Sequence, residues 1–195
     1  MAKNEPKQIR INQIIEAAIQ EFVEKGYHGA SLRSIANRAG LSKGGIYHHF
    51  SSKDEILIEA SNKYMEPVFQ FMEDAQNNKS SVKGLTDFII IYLTYCTNHP
   101  RTMVFTFLSL AKILDTEEMW PGMNEYAKHM ISFYEDLLNK GIESGELKEH
   151  DSRVRARMLF SSIDGIVGYM IMCESIDKEE TMDQFIKFYI KDIER

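Results

Sequence analysis

The sequence predicts an all-α protein in which a small N-terminal three-helix helix-turn-helix domain precedes a larger C-terminal helical domain. Apolar residues recur every three or four positions through almost every segment, the spacing of one helix face. Only four prolines occur in 195 residues, and no alternating run bounded by hairpin turns is present. The stretch Gly29–Glu55, GASLRSIANRAGLSKGGIYHHFSSKDE, reads as two short helices joined by a glycine-containing turn.

The first helix places Ile11, Ile14, Ile15, Ala18, Ile19, Phe22 and Val23 along one face, and Gly26 supplies a stop that can adopt positive φ. Ser31 is a natural N-cap for SLRSIANRA, with Leu32, Ile35, Ala36 and Ala39 facing inward. Gly40 makes the turn, and Ser42 caps a third helix, SKGGIYHHF. Ser52 or Ser51 caps a fourth, running from about Lys53 to Ala75. After the polar break QNNKSS, a long apolar helix starts at Val82 and stops at Asn98-His99-Pro100, where proline forbids continuation. Helices then follow over about 101–114 and 123–143, the second closing near Gly145. Asp151 opens a helix with Ala156, Leu159, Phe160, Ile163, Ile166, Val167 and Met170 on a broad face. The last helix sets Met182, Phe185, Ile186, Tyr189, Ile190 and Ile193 at similar spacing.

A hydrophobic content of 44% with 27% charged residues is that of a soluble globular chain. No apolar run approaches the ~20 residues that span a bilayer, and the N-terminus lacks the apolar core of a signal peptide. Cys96 and Cys173 stand alone in apolar settings, which argues for small buried residues in a reducing cytoplasm rather than a disulfide or metal site. Net charge is −6, unevenly spread. Residues 1–53 hold eight Lys/Arg against four Glu, for +4, and residues 54–195 carry −10. A basic end on an acidic body suits a molecule that offers one face to phosphates.

A recognition helix must let its backbone approach the duplex and present donors at its N-terminal end. Ser42, Lys43, Gly44 and Gly45 fit this: the glycines keep a low profile, while Ser42 and Lys43 donate to phosphates or base edges. Two adjacent glycines each cost ~1 kcal/mol of helix propensity, reasonable where close approach outweighs local stability. Tyr47, His48 and His49 follow with polar tips for the sugar–phosphate backbone, and Lys53 stands at the next helix start to hold a phosphate by charge and backbone N–H. Arg33 and Arg38, with Lys3, Lys7 and Arg10, are further phosphate candidates. Adjacent helical side chains diverge by about 100°, so His48 and His49 do not share a metal.

The run Ile14–Leu57 carries SIANRAG, LSKGGIYHHF and SKDEIL in register and resembles the N-terminal domain of the TetR/AcrR family of transcriptional regulators. The resemblance covers roughly the first 60 residues; beyond it only the layout is similar, helped by SIDGIVGYMI. It implies a homodimer whose DNA-binding domain, over 7–67, reads a palindromic double-stranded operator. It also implies an effector-binding and dimerisation domain, over 68–195, that receives a small-molecule inducer. By position, Ser42, Lys43, Gly45, Tyr47, His48, His49 and Lys53 match the family's DNA-contacting positions, although many members carry a bulkier residue where this chain has Gly45. Repression relieved by ligand is the family default.

The second domain is rich in Phe, Tyr and Met, a composition suited to an apolar pocket of adaptable shape. Phe88, Tyr92, Phe105, Leu108, Trp120, Met123, Tyr126, Met130 and Tyr169 are the expected lining for a hydrophobic or aromatic effector, with Asp164 and His129 as candidate buried charges. The last two helices, about 151–174 and 181–195, are apolar over wide stripes and are expected to pair with a second copy, as two-fold half-sites require. No cofactor or metal is expected. The rival readings are a metal-dependent all-α enzyme built on Glu125-x-x-x-His129, which lacks a second carboxylate–histidine pair, and a protein-interaction module without DNA.

Overall fold

The structure, a computed structural model, describes residues 7–195 apart from the Thr102 side chain; Lys3 lies outside them. Among the described residues nine α-helices follow in order: α1 Lys7–Gly29, α2 Leu32–Arg38, α3 Lys43–Tyr47, α4 Lys53–Gln76, α5 Ser81–Asn98, α6 Pro100–Leu114, α7 Trp120–Glu143, α8 Ser152–Met172 and α9 Lys178–Tyr189. They form two compact units. One contains the chain up to Glu66 together with Arg101–Glu117, and the other contains Pro67–Pro100 and Glu118–Arg195. The boundary in α4 falls at Pro67, which has no N–H to continue the helical ladder.

Local signals set most helix ends. Gly26 takes φ 70°, breaking α1, although helical hydrogen bonding resumes as far as Gly29. Ser31 accepts from the Ser34 N–H at 3.0 Å while Ser34 Oγ receives the Ser31 N–H, a closed capping box. Gly40 turns the chain at φ 68°. Ser42 Oγ caps α3 by accepting from Gly45 N–H at 3.1 Å. This helix is shorter than SKGGIYHHF suggests: it ends at Tyr47, and Phe50 is buried in the closing turn. Of the two candidate caps of α4, Ser52 accepts from Glu55 N–H at 3.0 Å, while the Glu55 carboxylate takes the Ser51 N–H and hydroxyl. At the other end of the chain α9 stops at Tyr189, so Ile193 lies in a 3-10 turn beyond it. There Lys148 N–H donates to Ile193 O and Arg195 N–H to Glu146 O, closing a single antiparallel bridge.

The core of the first unit joins Ile14, Phe22, Ile35, Ile46 and Ile56 with Phe105 from α6. Phe105 lies 5.1 Å from the Tyr64 ring and 6.3 Å from Phe22, ring centre to ring centre. Tyr27 is flanked by two ammonium groups, Lys53 Nζ at 4.1 Å and Lys112 Nζ at 4.8 Å from its ring centre, and its hydroxyl meets Asp54. In the second unit α7 packs on α8 and α5. Phe88 meets Phe133 at 4.9 Å and Tyr134 at 5.9 Å in edge-on contacts, over a buried layer that includes Leu93, Leu137 and Leu159. Cys96 is buried and Cys173 half-buried, both as free thiols.

One buried charge holds α2 to α1. Glu21 is 2% exposed and accepts from Lys25 Nζ at 2.7 Å and Arg38 Nε at 2.8 Å, while Arg38 also reaches Gln20 and Glu24. Burial alone would raise the Glu21 carboxyl, but hydrogen bonds from Lys25, Ser34 and Arg38 outweigh it and hold the group at about 2. The stabilisation is complete above the ordinary value of 4.5 and is lost as pH falls toward about 2. Glu21→Gln is expected to cost about 3 kcal/mol at neutral pH and to flatten the acid limb of the stability curve. Urea unfolding at a series of pH values measures both effects.

Candidate nucleic-acid interface

The turn from α2 into α3 and the first turn of α4 display the residues expected to meet DNA. Arg33, Ser42, Lys43, Gly44, Tyr47 and His48 are exposed, while Gly45 and His49 are half-buried. Tyr47, at 50% exposure, is large and apolar-bodied for a surface position. The Lys43 ammonium lies 6.0 Å from its ring centre, so the cation and phenol share one side of the helix. His48 and His49 meet edge-on at 5.3 Å. Nδ1 of His49 is buried without a hydrogen-bond partner, and burial, then the charges of His48, Lys7 and Arg10, lower the pKa of the ring.

The glycines are informative because the fold does not need them. Gly44 and Gly45 both avoid positive φ. A Cβ on Gly44 would meet nothing within 4 Å, and one on Gly45 would make ordinary contacts, the nearest at 3.4 Å to Ser42 Oγ. Two helix-weakening residues therefore stand where alanine fits.

Three of the basic residues are engaged by partners within the unit. Lys53 donates to the carbonyls of Tyr27 at 2.5 Å and Ala30 at 2.9 Å, capping the end of α1. Its ammonium is thus engaged inside the unit rather than directed at a phosphate, and the N-terminus of α4 is what that position presents outward. Arg38 and Lys25 are held by Glu21, and Arg38 by Glu24 as well. Glu21 sits seven residues after Ile14 in the first helix, hence on its apolar face, the one sequence signal for this network.

The residues expected to line an effector pocket are not gathered at one place. Phe88, Tyr92 and Met130 are buried and packed in the second unit, with Met123 and Tyr126 half-buried. Phe105 and Leu108 instead belong to the first unit, where Phe105 is a core residue. Trp120 and Tyr169 are exposed. Two clefts in the second unit, of about 380 and 520 Å³, are walled mainly by charged residues such as Glu135, Glu149, Asp177 and Glu180, and contain none of the expected set. Asp164 is half-buried and accepts the Tyr92 hydroxyl at 2.6 Å, whereas the ring of exposed His129 lies edge-on to Phe69 at 6.4 Å. Among the described residues no three His, Cys, Asp or Glu side chains converge on a metal site, and Glu125 pairs with Lys128 at 2.7 Å. No helix among them is long and apolar enough to cross a membrane.

Residues 14–60 match the family described as bacterial regulatory proteins, tetR family, and residues 107–195 match the QacR-like protein, C-terminal region. The fatty acid metabolism regulator protein of Bacillus subtilis (strain 168) is 30% identical over 174 residues, covering 88% of this chain and 87% of the relative. The chain belongs to the TetR family. TetR-family proteins are transcriptional regulators, not enzymes, and the helix-turn-helix described above is this regulator's DNA-binding element. A second relative, the transcriptional repressor KstR2 of Mycobacterium tuberculosis (strain H37Rv), is 25% identical over 136 residues, 70% of this chain and 68% of that one. Among solved structures, the regulator FadR of Bacillus subtilis in complex with stearoyl-CoA superposes with a TM-score of 0.80 at 28% identity, covering 93% of this chain and 98% of that one. FadR from Bacillus halodurans, a fatty acid degradation regulator, gives 0.78 at 25% identity, with 96% and 97% covered.

Proposed function

We propose that this TetR-family regulator is a cytoplasmic homodimeric repressor that binds a palindromic operator and is released by a long-chain fatty acyl-CoA thioester. The observation that carries the DNA reading is the exposed edge of α3, where Gly44 and Gly45 leave the backbone bare between Lys43 and Tyr47 with no internal reason to do so. Arg33, Ser42, Lys43, Tyr47, His48 and His49 contact the duplex, and Lys53 acts by fixing the end of α1 beneath them.

The dimer reading draws on an apolar row left uncovered on α8. Val154, Met158, Tyr169 and Met172 are all more than half exposed, and helical spacing sets them on one face with Ser161 and Gly165 between them. Small residues at the middle of such a row allow two helices to approach closely, and Phe188 of α9, 65% exposed, adds to the apolar surface. The expected apolar stripe of α9, by contrast, is mostly used inside the unit, where Phe185, Ile186, Tyr189, Ile190 and Ile193 are buried.

The effector reading rests on the relatives named for fatty acid metabolism and on the stearoyl-CoA complex of one of them. In this chain Phe88, Tyr92, Met123, Tyr126 and Met130 are the remaining apolar candidates for contact with an acyl chain. Topology suggests how binding reaches the operator. α6 packs within the DNA-binding unit, yet the chain enters it from the second unit and returns there. Lys112 on α6 stands 3.9 Å from Asp54 on α4 and over the Tyr27 ring, so a ligand that displaces the ends of α6 strains this contact.

The test is fluorescence anisotropy with a palindrome from upstream of the gene, titrated with protein at several salt concentrations and then with stearoyl-CoA. Binding that weakens with salt, and is lowered 100-fold or more by ligand, equivalent to about 2.7 kcal/mol of differential affinity, supports the proposal. Operator affinity that saturating ligand leaves unchanged overturns it. In the same assay Lys112→Met is expected to keep stearoyl-CoA binding and to reduce its effect on operator affinity by roughly tenfold, about 1.4 kcal/mol of coupling.

A further inference from the structure

The packing of α5, α7 and α8 includes one cluster that brings a phenol and a carboxyl together. Tyr92 of α5 donates its hydroxyl to Asp164 Oδ1 of α8 at 2.6 Å. The buried Cys96 thiol lies one turn along α5. On the neighbouring helix α7, the Tyr126 ring stands 6.1 Å from Phe160 of α8. Phe88, Met130, Ile163 and Val167, close to these residues along the same helices, are buried and apolar. Burial raises the Asp164 carboxyl above its ordinary range, partly offset by the Tyr92 hydrogen bond. A phenol–carboxyl pair in such surroundings is costly to keep, because either group left alone loses its full hydration without replacement. An apolar pair of similar volume would avoid that cost. Tyr92 and Cys96 are buried, but Asp164 and Tyr126 are half-buried, so the cluster is within reach of the surface.

We propose that this cluster reads a hydroxyl group on the effector, so that the ligand is a hydroxylated acyl chain in preference to a saturated one; this rests on the acyl-thioester reading above. A chain inserting between α5 and α8 has to part Tyr92 from Asp164. A methylene placed there leaves a buried donor and a buried acceptor unmatched. A carbonyl oxygen accepts from Tyr92 and leaves the carboxylate without a donor. An alcohol satisfies both, its O–H donating to Asp164 and its oxygen accepting from Tyr92. Discrimination by a site built to hydrogen-bond a hydroxyl is large, since the analogue lacking it strands the protein's own polar groups.

Calorimetric titration of the full-length protein with stearoyl-CoA and with positional isomers of hydroxystearoyl-CoA tests this, each ligand also being run as the free acid. At least one hydroxylated isomer is expected to bind about tenfold or more tightly than the saturated chain. In Tyr92→Phe and in Asp164→Leu the difference between hydroxylated and saturated chains is expected to fall below about threefold. Tyr92→Phe removes one oxygen and keeps the ring, so it decides the question if Asp164→Leu fails to fold. Equal binding of saturated and hydroxylated thioesters overturns the inference and leaves the thioester reading standing. A preference that survives in the folded variants overturns it too. Binding confined to hydroxylated free acids, and lost in Tyr92→Phe, upholds the inference and overturns the thioester reading. Binding of neither series overturns both.

Discussion

Gly44→Ala is expected to give a protein that is more stable and binds its operator worse. An added methyl group meets nothing within 4 Å, and the backbone there avoids positive φ. The substitution lowers the entropy of the unfolded chain, a gain of about 0.4–1 kcal/mol, which for a chain of this size raises Tm by about 2–4 °C per kcal/mol. On DNA the same methyl group occupies the space that lets the backbone between Lys43 and Tyr47 reach the groove, and the expected loss is roughly 100-fold, about 2.7 kcal/mol. Calorimetric melting and anisotropy on one preparation give both values. A variant that melts higher and binds unchanged would remove the argument that the glycines serve DNA. Gly45→Ala is expected to behave similarly, because an added Cβ there would make only ordinary contacts with Ser42 Oγ and Leu41.

Phe105→Ala is expected to abolish operator binding without touching DNA. Phe105 is 1% exposed and fills the first unit's core beside Phe22 and Tyr64. Truncating a fully buried phenylalanine costs about 3–5 kcal/mol through lost transfer energy and the cavity left behind. That loss falls on the unit that carries α3, so amide exchange in α1–α4 should accelerate while α7–α9 stay protected. If Phe105 instead lined an effector pocket, the variant would keep operator affinity and lose ligand binding. The two outcomes separate a core residue from a binding residue in one protein.

Phe105 also shows why the sequence misdirects here. It lies in the run Met103-Val104-Phe105-Thr106-Phe107-Leu108, where apolar side chains surround the helix and periodicity cannot say which face is covered. The placement of α6 depends on partners such as Phe22 and Tyr64 that are remote along the chain. The same holds for charge. The sum of +4 over residues 1–53 says that the end is basic, but Lys25, Arg38 and Lys53 are engaged by Glu21, Glu24 and the carbonyls of Tyr27 and Ala30. The outward-facing chemistry is carried by fewer residues than the count implies.

The start of α2, the turn and the start of α3 were legible because each of their signals acts within four residues. Ser31 caps through Ser34, Gly40 turns on its own φ, and Ser42 caps through Gly45. A hydrogen bond from a cap to its own helix needs no knowledge of the rest of the fold. Local signals of this kind are enough to place the helix starts and the turn and to carry the family motifs. Long-range packing sets α6 in the DNA-binding unit, engages Lys53 at the end of α1, and brings Tyr92 to Asp164 across 72 positions of chain. Such pairings follow from how whole faces pack against one another, and that is written in no single segment.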